Sequence, residues 1–177
     1  MKGKKFIVFC VAVLSLNCFF PISTFADEEI SNEKLENVAL DCESIKQTLR
    51  RVQNIDKNAR VSIGRSYQNI LANYITPLNI RIIKNNQKEN KLAEIQSDYV
   101  NAREKFNAEY IAYSQEFENL LKIDCKNEPK SFYDQLVATR QKRADVAAAS
   151  SKLREIIKNH IDEVKLFSET LEVKNAK

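Results

Sequence analysis

The chain has 177 residues, of which 28 are Lys or Arg, 24 are Asp or Glu, and only 2 are Gly and 3 are Pro. Globular domains contain about 7% Gly and about 5% Pro, because tight turns depend on the backbone conformations of these residues. The composition therefore excludes a sandwich, a barrel or a doubly wound sheet, and its 44% of hydrophobic residues argues against disorder.

Residues 1–26 have the organisation of an export signal. Lysines at positions 2, 4 and 5 precede an apolar run over 6–20, and Thr24-Phe25-Ala26 offers small residues to a signal peptidase. The run is shorter than the roughly 20 residues of a membrane-spanning helix. We expect cleavage after Ala26, with retention as an anchor as the alternative, and no transmembrane segment in the mature protein.

Removing this signal leaves 25 basic and 24 acidic residues. The mature chain, residues 27–177, is therefore almost neutral and long enough for one helical domain. We expect an exported bacterial protein that is secreted, periplasmic or held at the cell surface.

Three stretches of the mature chain repeat apolar residues at helical spacing and predict helices over about 31–84, 87–123 and 130–172. The first begins as a heptad seam from Leu35 to Val52 and then relaxes to steps mostly of four, with a kink expected near 76–77 at Pro77. Such stripes are typical of a core. The relaxed part of the first stripe includes Ile55, Ala59, Ile63 and Tyr67.

The spacing of the two cysteines of the mature chain, Cys42 and Cys125, distinguishes between two possible positions for the first reversal of the chain. Their midpoint lies beside Asn85-Asn86, whereas a reversal at Pro77 would leave arms that differ by about 14 residues, or roughly 20 Å of helix. A disulfide requires Cα atoms within about 7 Å. We predict a hairpin that reverses near residue 85 and a Cys42–Cys125 disulfide; two reduced core cysteines are the alternative.

A second reversal is expected between Asp124 and Pro129, because proline suits the first turn of a helix. The third helix can then lie along the hairpin. The predicted fold is all-α, an elongated antiparallel three-helix bundle or coiled coil whose hairpin is tied by a disulfide.

Charge is unevenly distributed, and residues 45–84 hold eight bases and one acid. At 100° per residue, Lys46, Arg50, Lys57 and Arg60 fall within an arc of about 80° and form a basic strip. The strip could bind an acidic protein, anionic lipid or nucleic-acid phosphates. The alternative is internal pairing with acids of the second helix, namely Glu94, Glu104, Glu109, Glu116 and Glu118. A nearly neutral exported chain without a stacking platform makes nucleic acid the weakest of these candidates.

Catalytic motifs are nearly absent. The chain contains no Gly-x-Ser-x-Gly, Walker-type, HExxH or paired CxxC motif. His160 is the only histidine and lies near the apolar face of the third helix, and Gly64 is the only mature glycine. We expect no enzyme, no catalytic residue, no metal and no cofactor.

Two segments carry a resemblance to a known group of proteins: CESIKQTLRRVQNIDKNARVSIGRSYQNILANYITPLNIRIIKNN, residues 42–86, and DCKNEPKSFYDQL, residues 124–136. They resemble an uncharacterised family of small exported helical proteins from candidate-phyla bacteria of the Patescibacteria type. The resemblance implies a signal peptide and the two cysteines, and it implies no activity.

The chain is also similar in size, export and long helices to periplasmic holdase chaperones of the Skp/OmpH class. Those proteins have a strand-rich trimerisation body. This sequence has no segment of alternating apolar and polar residues that would form its strands. We therefore predict a non-enzymatic helical protein that acts through protein–protein contacts at the cell envelope or surface, with a holdase as the alternative. Apolar positions left over from the stripes would also permit a homo-oligomer.

Overall fold

The structure, a computed structural model, describes residues 30–85 and 91–175. The chain divides into two compact units, Met1–Ile30 and Ser31–Lys177. The predicted signal peptide, residues 1–26, lies outside the described residues, and so do residues 86–90 of the predicted first turn. The second unit contains every described helix.

The second unit is an antiparallel helical bundle, and its described residues contain no strand. Helix α1 spans Asn32–Leu40 and α2 spans Cys42–Ile70. A π-helical segment, Leu71–Ile75, joins α2 to α3, Thr76–Lys84. Helix α4 spans Lys91–Lys122, and α5, at Pro129–Asn175, is about 70 Å long. The all-α bundle predicted from the sequence is confirmed.

The predicted helix over 31–84 contains two irregularities, an unpredicted break at Asp41 and a π-helical segment directly before the expected kink at 76–77. Ser31 caps α1 by accepting a hydrogen bond from the Lys34 N–H, and α1 ends at Asp41, where ψ is 11°. The π-helical segment comes directly before Thr76-Pro77, and the Thr76 N–H donates to the Leu71 carbonyl. Proline has no N–H to give to the carbonyl four residues earlier, so an altered hydrogen-bond pattern immediately before Pro77 has a physical cause.

Two hydrophobic clusters hold the bundle together. The large cluster combines residues of α2 and α3, α4 and α5; it comprises Tyr67, Ile75, Ile82, Leu92, Ile95, Tyr99, Phe106, Ala149, Leu153 and Ile156. The disulfide cluster lies around the α4–α5 turn; it comprises Leu120, Cys125 and Phe132, with Val38, Cys42, Ile45 and Leu49 packed against it. Between the two clusters, residues 50–66 of α2 contribute no buried side chain.

The Cys42–Cys125 disulfide is confirmed, with Cα atoms 5.4 Å apart. Hydrogen bonds farther along the arms keep the same antiparallel register: the Tyr99 hydroxyl donates to the Tyr67 carbonyl at 2.8 Å, and the Asn79 amide donates to the Leu92 carbonyl at 3.0 Å. Each of these pairs is centred between residues 83 and 86, as the spacing of the cysteines predicts.

Asp124 shapes the second turn. Its carboxylate accepts hydrogen bonds from the backbone N–H groups of Lys126 and Asn127 and from the Asn127 side chain. These bonds lower the pKa of Asp124, and the bond from the Asn127 side chain has the largest effect. The chain then enters α5 at Pro129, the predicted first-turn residue.

Candidate binding surface on helix α2

The structure divides the four residues of the basic strip into two kinds. Arg50 and Lys57 are exposed, whereas Lys46 and Arg60 are half-buried. Arg50 lies 3.5 Å from the Glu43 carboxylate on its own helix, and both side chains are more than half exposed. Arg50 and Lys57 are thus the two strip residues whose charged groups lie in solvent, Arg50 beside Glu43.

Arg60 turns from the strip toward α4. Its Nη2 donates to Asn107 Oδ1 at 3.2 Å, and its guanidinium lies 5.4 Å from the centre of the Tyr110 ring. Partial burial raises the pKa of Tyr110, while the positive charge of Arg60 opposes that rise. Arg60 is thus a contact residue between two helices as well as a surface cation.

The alternative in which the strip pairs with the second helix is not seen: within residues 30–85 and 91–175, no ion pair joins the strip to a carboxylate of α4. The α4 side chains that form hydrogen bonds or cation–π contacts with this part of α2 include Asn107, Tyr110 and Tyr113, none of them acidic. Glu104 and Glu118 are exposed, and Glu116 binds Gln135 of α5 instead.

A polar junction that sequence analysis missed connects the middle of α2 to the other two long helices. Asp56 accepts hydrogen bonds from the Tyr113 hydroxyl at 2.5 Å and from Arg143 Nε and Nη2 at 2.9 and 3.0 Å. Burial, and then the bond to Asp56, raises the pKa of Tyr113. The same carboxylate raises the pKa of Arg143. We call these three residues the Asp56 junction.

One sequence signal could have drawn attention to Asp56. It is the only acid between Ile45 and Lys84, and it lies four residues after Val52 and three before Ala59, within the apolar stripe. A carboxylate on a core-facing stripe requires a partner. The identity of that partner could not be predicted, because Arg143 is 87 residues away in the sequence.

The interpretation of the whole α2 stripe as core is wrong in its middle. Ile55 is 65% exposed, Ile63 is 38% exposed, and Ala59 between them is exposed. The reason lies in the facing helices, which reach α2 here through the tips of Tyr113 and Arg143 rather than through close apolar contact. We call Ile55, Ala59 and Ile63 the open stripe.

His160, expected at the edge of the apolar face, is buried at 8% exposure. Burial lowers the pKa of its imidazole, and no described group hydrogen-bonds its Nε2. In the part of the chain that the structure describes, no three His, Cys, Asp or Glu side chains are grouped so as to hold a metal ion. No described helix is both long and apolar enough to cross a membrane.

No family model, no curated protein and no solved structure matches the chain. The resemblance to exported proteins of candidate-phyla bacteria therefore stays a prediction.

Proposed function

We propose that the chain is an exported, non-enzymatic helical protein that binds a protein partner at the cell envelope or surface through the middle of α2. The observation that supports this proposal is the open stripe. Ile55, Ala59 and Ile63 continue an apolar seam that is partly buried at Cys42, Ile45 and Leu49 and buried at Tyr67, and here they face solvent.

The charges around the open stripe suggest the chemistry of the partner. Exposed Arg50, Arg51, Lys57 and Arg65 lie along the same part of α2. The only carboxylate within residues 50–66, Asp56, already binds Arg143 and Tyr113. A partner with apolar side chains flanked by acids would bury the stripe and neutralise these cations.

The proposal is tested by crosslinking and affinity capture from the native envelope with the disulfide intact. An Ile55→Ser, Ile63→Ser double variant should lose a stoichiometric partner. The matched control is an Ile111→Ser, Ile161→Ser double variant, since these isoleucines of α4 and α5 are 55% and 61% exposed. Equal capture by both variants would contradict the proposal.

The contribution of charge is tested separately with an Arg50→Glu, Lys57→Glu variant. Arg60 is left unchanged because its contacts with Asn107 and Tyr110 belong to the bundle. We expect weaker capture from this variant, and weaker capture by the native protein as salt rises, because exposed charges are screened. Binding that neither charge reversal nor salt affects would show that the cations are only solvated.

A holdase is the alternative function. The strand-rich body of the Skp/OmpH class has no counterpart among the described residues, which contain no strand. A holdase would suppress the aggregation of many unrelated unfolded proteins, whereas the proposed protein should capture one partner. An aggregation assay with two unrelated unfolded clients distinguishes the two functions.

A further inference from the structure

Helix α1 carries an exposed face that is acidic and contains one large apolar side chain. The helix contributes no buried residue, and Leu40 at its end is 76% exposed. At 100° per residue, Glu33, Glu36 and Leu40 fall within an arc of about 60° on one side of the helix. We call these three residues the α1 face.

The α1 face and the surroundings of the open stripe carry opposite charges that the chain itself does not neutralise. Residues 31–43 contain four acids and one base. Glu33 and Glu36 are exposed, and so are Arg51 and Arg65 on the part of α2 that holds the open stripe. Within residues 30–85 and 91–175, none of these four side chains forms an ion pair. Each surface therefore has the charge that complements the other.

The apolar parts of the two surfaces also match in size. Ala59 lies one helical turn after Ile55 and one turn before Ile63, so its small methyl group leaves a hole between two larger, exposed side chains. Where two helices pack together, a side chain of one helix fills such a hole on the other. Leu40 is the large apolar side chain that the α1 face offers for this hole.

The α1 face cannot reach the open stripe of its own chain. Val38 of α1 packs into the disulfide cluster, and α2 begins at Cys42, which is held by the disulfide. Leu40 and Ala59 are 19 positions apart in the sequence. This separation corresponds to roughly 28 Å of helix. An α1 face that covers the open stripe must therefore come from a second copy of the chain.

We propose that the chain forms a two-fold symmetric dimer in which the α1 face of each copy packs on the open stripe of the other. The two α2 helices run antiparallel in this dimer, because a parallel arrangement would leave one of the two stripes uncovered. A two-fold axis forms every contact twice. The inference rests on the proposed function, since it takes the open stripe as the binding surface and names a second copy as its partner.

Sedimentation equilibrium of the disulfide-bonded protein at concentrations up to about 1 mM tests the dimer. We expect a dissociation constant that rises at least about tenfold in Leu40→Ser, because burial of a leucine side chain contributes about this factor to affinity. The matched control is Ile111→Ser, an isoleucine of α4 that is 55% exposed and outside both surfaces, which should stay within about twofold. A protein that stays monomeric, or equal weakening in both variants, would overturn the proposal.

An exchange of charge identifies the two surfaces that meet. A Glu33→Lys, Glu36→Lys variant and an Arg51→Glu, Arg65→Glu variant each bring like charges together in both halves of the dimer, so each alone should dimerise more weakly. An equimolar mixture pairs opposite charges in both halves, and heterodimers should form with about native affinity. Circular dichroism verifies that each variant keeps its helices. A mixture of folded variants that associates no better than either alone would contradict the proposed contact.

Failure of this dimer and failure of the proposed function give different results. A monomeric protein whose Ile55→Ser, Ile63→Ser variant loses a different protein during capture from the envelope would overturn the dimer and leave the binding surface in place. A dimer that this double variant forms with native affinity would use another surface, which also overturns the proposal. Dimerisation that is weakened both in this variant and in Leu40→Ser supports the dimer and the binding surface together.

Discussion

The structure leaves room for a side chain at Gly64. It lies in the middle of α2, where glycine is unfavourable because it loses the most backbone entropy on folding. A Cβ at this position would meet one atom within 4 Å, the flexible Arg60 Nη1 at the ordinary contact distance of 3.8 Å. The helix itself therefore does not require glycine here.

We predict that Gly64→Ala raises the free energy of unfolding by about 1 kcal/mol, the difference between the two residues in a helix interior. Urea denaturation followed by circular dichroism measures the change. Ser62→Ala, an exposed position one half-turn away, is the control and should change stability by less than about 0.5 kcal/mol. A destabilised Gly64→Ala variant would contradict this interpretation.

His160 gives the chain a pH dependence near neutrality. Burial lowers the pKa of its imidazole below the usual 6.5, so the folded state binds this proton less readily than the unfolded state does. The free energy of unfolding therefore has its full value above pH 6.5, and part of it is lost as the pH falls through the pKa of His160 in the folded state. A single titrating group cannot change the free energy of unfolding by more than about 1.4 kcal/mol per pH unit.

We therefore expect the native protein to be less stable at pH 5.5 than at pH 7.5. His160→Leu should remove most of this difference, because no other histidine is present in the chain. Chemical denaturation at both pH values measures the difference. A pH dependence that survives His160→Leu would assign it to the carboxylates instead.

At the scale of single elements, α2 is held at its two ends and bridged by polar groups in the middle. Its first turns pack into the disulfide cluster and its last turns into the large cluster. Between them the Asp56 junction links α2 to both α4 and α5. The junction lets the open stripe stay uncovered while α2 remains in register.

The junction should contribute more to stability than a surface ion pair on the same helix. The Asp56 side chain is 15% exposed and binds two partners, whereas Glu43, which pairs with Arg50, is 71% exposed. We predict that Asp56→Asn lowers the free energy of unfolding by about 1–2 kcal/mol. Glu43→Gln should change it by less than about 0.5 kcal/mol.

Both isosteric substitutions are measured by urea denaturation. Combining Asp56→Asn with Arg143→Gln should cost less than the sum of the single changes, because the two residues share one interaction. Strict additivity would mean that Arg143, which is 59% exposed, contributes little to the junction.

How far the sequence predicts each feature depends on whether its cause can be read from the spacing of residues along the chain. The reversal near residue 85 could be predicted because helices have a constant rise per residue and the two cysteines must meet. The exposure of Ile63 could not, because burial depends on which side chains a distant helix presents. The Asp56 junction was missed for the same reason: Arg143 is 87 positions after Asp56, and only the folded register brings them together.

At the scale of the whole bundle, the disulfide should be the largest single stabilising link. It closes a loop between residues 83 positions apart, for which the chain-entropy model gives about 4.5 kcal/mol. A Cys42→Ser, Cys125→Ser variant should lose roughly this much. Thermal unfolding of the native protein with and without reductant gives an independent measurement, and equal midpoints would contradict the prediction.

The disulfide also determines how the chain can carry a mechanical load. When a pulling force acts on residues before Cys42 and after Cys125, tension passes directly through the bond between the two sulfur atoms. The 83-residue separation between them, roughly 290 Å of extended chain, is then shielded from the force. Helices α2, α3 and α4 lie within this shielded loop, so only α1 and α5 can extend while the open stripe stays unstretched.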